Sequence, residues 1–216
     1  MEIVFVSGWA TSIRIWDRIG NFDFPVRFLE WNDVLSGDST LPSSCILTGW
    51  SLGGQLALKL SSRREVRGLV LVSSMSCIAS SAYRPGVDPG TYSEITSMLS
   101  RSRQGYLKSF FRQCGAGRET LPDLLAQSSL FSIEELQLGL NVMFNNAMKP
   151  VRSLPATLIH GTSDRIIPFE CSAYLAEEVL DGASLVPVEH GSHLLPITHP
   201  EVIVKAVKEL AKRIHS

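Results

Sequence analysis

Ser51 lies in the run Gly49-Trp50-Ser51-Leu52-Gly53-Gly54, and a serine flanked by small residues on a tight turn suits nucleophilic attack on a carbonyl. A serine hydroxyl is a weak nucleophile until a base takes its proton, so this chemistry calls for a histidine and for a carboxylate that orients it. Downstream, Asp164 stands in Gly161-Thr162-Ser163-Asp164-Arg165-Ile166-Ile167-Pro168 and His193 in Glu189-His190-Gly191-Ser192-His193-Leu194. Their order, Ser then Asp then His, is the one expected when the nucleophile sits on a strand-to-helix turn. Acyl transfer also needs donors for the oxyanion. The candidates are the backbone N–H of Leu52, next after the serine, and that of Trp9 in Ser7-Gly8-Trp9-Ala10.

Each of these residues also has a plainer reading. Asp164 could cap a helix starting near Pro168. Trp9 could be a core aromatic beneath its loop, a role compatible with donating its main-chain N–H. His193 has rivals in His160, His190 and His199. Of these, His160 is expected to be structural beside the acid loop and His199 to precede the last helix. The joint placement of Ser51, Asp164 and His193 at strand ends is what favours the catalytic reading.

Short apolar runs rich in Val, Ile and Leu recur at residues 3–6, 26–29, 45–48, 68–72, 156–160 and 185–188. They are continuous rather than alternating, as expected for strands buried on both faces of a parallel sheet. Helical patterns follow at 52–62 and 169–180. A closing helix has Val202, Ala206, Val207, Leu210 and Ile214 on one face, Pro200 and Glu201 at its start, and Lys212 and Arg213 at its end. This alternation predicts an α/β fold with a mostly parallel, doubly wound sheet. Ser51, Asp164 and His193 then fall at one edge of that sheet. From 78 to 152 no strand is legible, only helical patterns at 92–111 and 133–148. Roughly 75 residues are too many for a connection whose median length is about 4 to 6. The expected organisation is a core of 1–77 and 153–216 with a helical lid of 78–152 inserted before the acid-bearing strand.

Composition narrows the function classes. With 20 Lys+Arg against 21 Asp+Glu, the net charge of −1 supplies no global field for nucleic acid. No apolar run reaches the about 18 residues needed to span a bilayer, and Glu2 stands where a signal peptide carries positive charge, so a cytoplasmic protein is expected. Cys45, Cys77, Cys114 and Cys171 are scattered, which predicts reduced, buried thiols and neither a disulfide framework nor a metal site.

Gly8-Trp9, the elbow at 49–54, Ser73-Ser74-Met75-Ser76-Cys77, the Gly161-x-x-Asp164-x-x-Ile167-Pro168 segment, and His193 with His199-Pro200 downstream together resemble the α/β-hydrolase superfamily over nearly the whole chain. Within it, the chain is similar to the methyl ester esterases of biotin synthesis that act on an acyl group held by an acyl carrier protein. The resemblance implies hydrolysis of a short acyl methyl ester through an acyl-enzyme on Ser51, with no cofactor or metal, by a monomer. It also implies basic residues at the pocket mouth for an acidic carrier. Arg101, Arg103, Lys108, Arg112 and Arg118 form such a run with no acid among them. Phe110, Phe111 and Tyr106 are candidates to line an acyl tunnel. Two rival readings are a general small-ester carboxylesterase or acyl thioesterase, and a ligand-binding relative without turnover.

Overall fold

The computed structural model describes residues 1–148 and 154–215. Among them, six strands form one sheet: β1 (Glu2–Val6), β2 (Val26–Leu29), β3 (Cys45–Trp50), β4 (Val66–Val72), β5 (Ala156–Gly161) and β6 (Ser184–Val188). Their order is β2-β1-β3-β4-β5-β6, and every neighbouring pair is parallel. The helices are α1 (Trp31–Ser36), α2 (Leu52–Leu60), α3 (Thr91–Arg101), α4 (Arg103–Gln113), α5 (Leu121–Ser128), α6 (Ile133–Asn145), α7 (Phe169–Tyr174), α8 (Leu195–Thr198) and α9 (Pro200–His215).

Strand β3 is buried along its whole length and β1 and β4 nearly so, which is why their sequences read as unbroken apolar runs. The edge strands differ from that expectation. In β2, Val26 and Phe28 remain 37% and 40% exposed, and β6 buries fully only Val188, because an edge strand lacks one neighbour and part of its cover. Helix α9 packs on β3, β4 and β5 through Ile203, Ala206, Val207, Leu210 and Ala211. It can come close because Gly68 has no side chain: a Cβ there would press on Ile214 and Leu210. Glu201 in its first turn and Lys212, Arg213 and His215 in its last complement the helix dipole.

Among the described residues, four helices, α3 to α6, lie between β4 and β5. The pattern read as one helix over 92–111 is two, broken at Ser102, whose extended backbone (φ −155°, ψ 82°) ends α3 and starts α4. Helix α6 opens on a reciprocal cap, Ser132 accepting from the Glu135 N–H and Glu135 from the Ser132 N–H, and stops at Asn145, short of residue 148. The pattern at 169–180 is α7 followed by one wider π turn over Leu175–Val179. The expected boundary at 152/153 lies outside the described residues.

Side-chain hydrogen bonds tie this helical stretch to the sheet domain. The Gln55 amide on α2 donates to the carbonyls of Ser76, Val142 and Asn146, and Trp9 Nε1 donates to the Leu136 carbonyl at 2.8 Å. Trp9, Trp16, Trp31 and Trp50 are all buried, so the largest side chains of the chain belong to its core. The four cysteines are free and buried; burial pushes the thiols of Cys45 and Cys171 up to about 11 and about 12, and that of Cys114 well above its ordinary value. Among the described residues, no helix is long and apolar enough to cross a membrane.

Candidate active site

Strand order reverses between β1 and β3, so the chain leaves these neighbours toward opposite sides and opens a crevice at their C-terminal ends. Ser51 stands there, between β3 and α2, with φ 57° and ψ −122°. That left-handed backbone is costly for a residue with a Cβ and persists only where the surroundings enforce it. They do so by crowding. A Cβ at Gly49 would strike the Gly53 main chain, and one at Gly53 would strike the carbonyls of Val6 and Ser7. Strand, turn and helix therefore meet at backbone distance, as the spacing of Gly49 and Gly53 predicts. Among the described residues, the other non-glycine residues with positive φ are Ala10, Ser73 and His190, each shortly after a strand of the same edge.

The structure brings Ser51, Asp164 and His193 together. His193 Nε2 lies 3.1 Å from Ser51 Oγ, and His193 Nδ1 lies 2.7 Å from Asp164 Oδ2. The side chains of His193 and Asp164 are fully buried, and Ser51 is 5% exposed. Asp164 does not cap α7, whose N-cap is Pro168 with no side-chain cap; its Oδ1 instead accepts the N–H groups of Ile166 and Ile167, pinning the loop before that helix. Burial alone would raise the Asp164 pKa. The charge of His193 and hydrogen bonds from His160 and His193 outweigh burial and hold the carboxyl well below its usual range.

Ser51 borders a cavity of about 220 Å³ that is walled by Trp9, Ile78, Ile95, Tyr106, Phe110 and Met143 among others. Arg165, beside Asp164, is the one charged residue in that wall among the described residues. Trp9 has Phe110 edge-on at 5.1 Å. Phe111, named with Phe110 as tunnel lining, is instead buried in the core, because the turn of α4 that aims Phe110 at the cavity aims its neighbour away. The backbone N–H groups of Trp9 and Leu52 have no acceptor among the described residues. No group of three metal-ligating side chains occurs among those residues.

The basic run divides. Arg101, Lys108, Arg112 and Arg118 are exposed. Arg103 is not a free charge: Nη2 donates to the carbonyls of Ser128 and Phe131, closing the C-terminal end of α5. One residue of the site escapes the sequence reading: Trp50 donates Nε1 to the His193 carbonyl, and a Trp directly before the serine was the available signal. His160, expected beside the acid loop, is there and reaches Asp164.

A model of the alpha/beta hydrolase family matches residues 3–206. The chain is 27% identical to a pimeloyl-[acyl-carrier protein] methyl ester esterase of Aeromonas hydrophila, covering 96% of this chain and 94% of that one. It is 26% identical to the esterase of the same name from Pectobacterium carotovorum, covering 98% and 94%. An esterase of Exiguobacterium antarcticum superposes with a TM-score of 0.79 at 16% identity, over all of this chain and 92% of the other, which is a likeness of fold. This chain thus belongs to the α/β-hydrolase family and is a hydrolase.

Proposed function

We propose that this protein is a serine carboxylesterase in which Ser51 is the nucleophile, His193 carries the proton and Asp164 orients His193. One observation carries the reading: the His193 ring contacts the Ser51 hydroxyl with one nitrogen and the Asp164 carboxylate with the other, at the wall of an apolar cavity. With its Nδ1–H donating a hydrogen bond to the Asp164 carboxylate, the ring leaves Nε2 to accept the Ser51 proton as Oγ attacks the acyl carbon. The oxygen of the tetrahedral adduct gains charge and is held by the N–H groups of Leu52 and Trp9, where losing one donor typically costs about 3 kcal/mol. His193 then protonates the leaving alkoxide and the alcohol departs. Water, deprotonated by His193, attacks the acyl carbon; the bond to Ser51 Oγ breaks, His193 returns the proton to Oγ, and the acid is released.

The substrate proposed within that class is a methyl pimeloyl ester on an acyl carrier protein, in biotin synthesis. The two esterases of that name match almost end to end, and helix α4 turns Tyr106, Phe110 and Gln113 to the cavity while Lys108 and Arg112 face solvent toward an acidic carrier. Helices α3 to α6 serve as the lid over the acyl chain. The test compares methyl pimeloyl carrier, p-nitrophenyl butyrate and acyl-CoA as substrates of the wild type and of Ser51→Ala. Preference for the carrier ester, and loss of all turnover in a folded Ser51→Ala protein, are expected. Turnover retained by Ser51→Ala removes the serine mechanism; equal or greater rates on free esters or acyl-CoA remove the carrier.

A further inference from the structure

His160 is fully buried at the end of β5 and takes no part in the chemistry above. Its ring is nonetheless held on every side. Nδ1 is 2.7 Å from Ser172 Oγ, Nε2 is 3.0 Å from the Ile167 carbonyl and 3.3 Å from Asp164 Oδ2, and Phe169 packs edge-on at 5.8 Å. The oxygen it reaches is the same Oδ2 that receives His193 at 2.7 Å. One carboxylate oxygen therefore lies between two imidazoles.

The hydrogen inventory decides what His160 offers there. Both oxygens facing Nε2, a carbonyl and an ionised carboxylate, can only accept, so Nε2 carries a hydrogen whether the ring is neutral or charged. The contacts continue behind it: the single hydrogen of Ser172 Oγ serves Nδ1 at 2.7 Å when the ring is neutral and the Ser74 carbonyl at 3.2 Å when it is charged, and Ser74 Oγ donates to the Ser51 carbonyl at 2.9 Å. The path from the Ser51 hydroxyl through His193, Asp164, His160, Ser172 and Ser74 thus returns to the main chain of Ser51. The side chains in contact are buried, and apart from the His160–Asp164 pair, four residues apart after β5, the contacts join segments distant in sequence, so no single loop sets the geometry of the triad alone.

From this closed circuit we infer that His160 is a positioning residue for the proposed reaction, fixing Oδ2 of Asp164 so that His193 is aimed at Ser51. The inference rests on the serine esterase reading. A group acting this way affects the chemical step and not substrate binding, since His160 does not border the cavity.

The experiment measures kcat and KM on p-nitrophenyl butyrate for wild type, Ser51→Ala, His160→Leu and His160→Gln, with thermal melting of each. Leucine has similar bulk and no donor; glutamine keeps an N–H at the reach of Nε2. His160→Leu is expected to lower kcat by about 10- to 100-fold, the size usual for a partner that orients a reacting group, with KM within about twofold. His160→Gln is expected to recover most of that loss. Wild-type kcat in folded His160→Leu, a loss confined to KM, or equal impairment of leucine and glutamine overturns the inference. If His160→Leu does not fold, Ser172→Ala carries the test, because it frees Nδ1 and leaves Asp164 untouched. A drop in kcat of about threefold or more at constant KM supports the inference, and wild-type kcat overturns it. Turnover in Ser51→Ala would bring down the esterase reading itself, whereas an inactive Ser51→Ala beside a fully active His160→Leu removes this inference alone.

Discussion

The indole N–H of Trp50 donates to the main-chain carbonyl of His193 at 2.8 Å, so the residue before Ser51 anchors the residue that faces it. The two rings lie 5.1 Å apart, both buried. Trp50→Phe keeps most of the ring and removes the donor, leaving a buried carbonyl unpaired at a cost of about 1 to 3 kcal/mol. The expected result is a lower melting temperature and a several-fold lower kcat on p-nitrophenyl butyrate, with KM unchanged. Unaltered melting and kcat would show that the carbonyl needs no anchor.

Asp164 governs the response to acid. Its folded pKa lies below the unfolded value, so its contribution to stability is complete above about pH 4 and is lost as pH falls through the folded value. Asp164→Asn has no such charge to lose. The melting-temperature gap between wild type and Asp164→Asn is therefore expected to narrow from pH 7 to pH 3; a gap that widens on acidification contradicts the assignment. On esters at pH 7, Asp164→Asn is expected to lower kcat by about 10⁴, the loss seen when an amide imposes the wrong tautomer on the base.

On the proposed function, the cavity is expected to set acyl length. Met98 on α3 borders it and is 44% exposed, so a larger side chain there fills space without disturbing the core. Met98→Trp is expected to lower kcat/KM for octanoate esters about tenfold relative to butyrate esters, within the range that a misfit of a few methylenes produces. Equal effects on both esters would place the acyl chain elsewhere.

Charge on α4 is expected to separate carrier from free ester. Lys108→Glu with Arg112→Glu should raise KM for a carrier-bound ester about tenfold at low salt, with the difference fading at high ionic strength as screening removes the attraction. KM for p-nitrophenyl butyrate should move less than twofold. Arg103→Glu behaves differently, lowering the melting temperature, because its guanidinium serves the Ser128 and Phe131 carbonyls. A docking surface is excluded if the double substitution changes both substrates alike.

Much of the framework is legible in the chain. The strands lie within about two residues of their apolar runs, because a sheet buried between helices leaves an unbroken hydrophobic signature. Ser51, Asp164 and His193 stand out by order and by placement at strand ends. Hydrogen bonds from side chains to distant carbonyls leave no periodic trace, so the Gln55 clamp, the Trp50 anchor, the engagement of Arg103 and the reach of His160 to Asp164 are visible only once the chain is folded. The break at Ser102 is hidden because serine is tolerated in a helix and carries no stop signal of the kind glycine or proline gives.

The pairing of β4 with β5 has a bearing on biosynthesis. Leu69–Val72 meets Ala156–Ile159 across roughly 80 intervening residues, a closure that slows the search for native pairing. The elbow is synthesised well before the loops that complete the proposed relay. On the proposed function, the nascent polypeptide is expected to be inert toward esters until β5 and β6 dock, and hydrolytic competence regained after denaturation should keep pace with the slowest refolding phase.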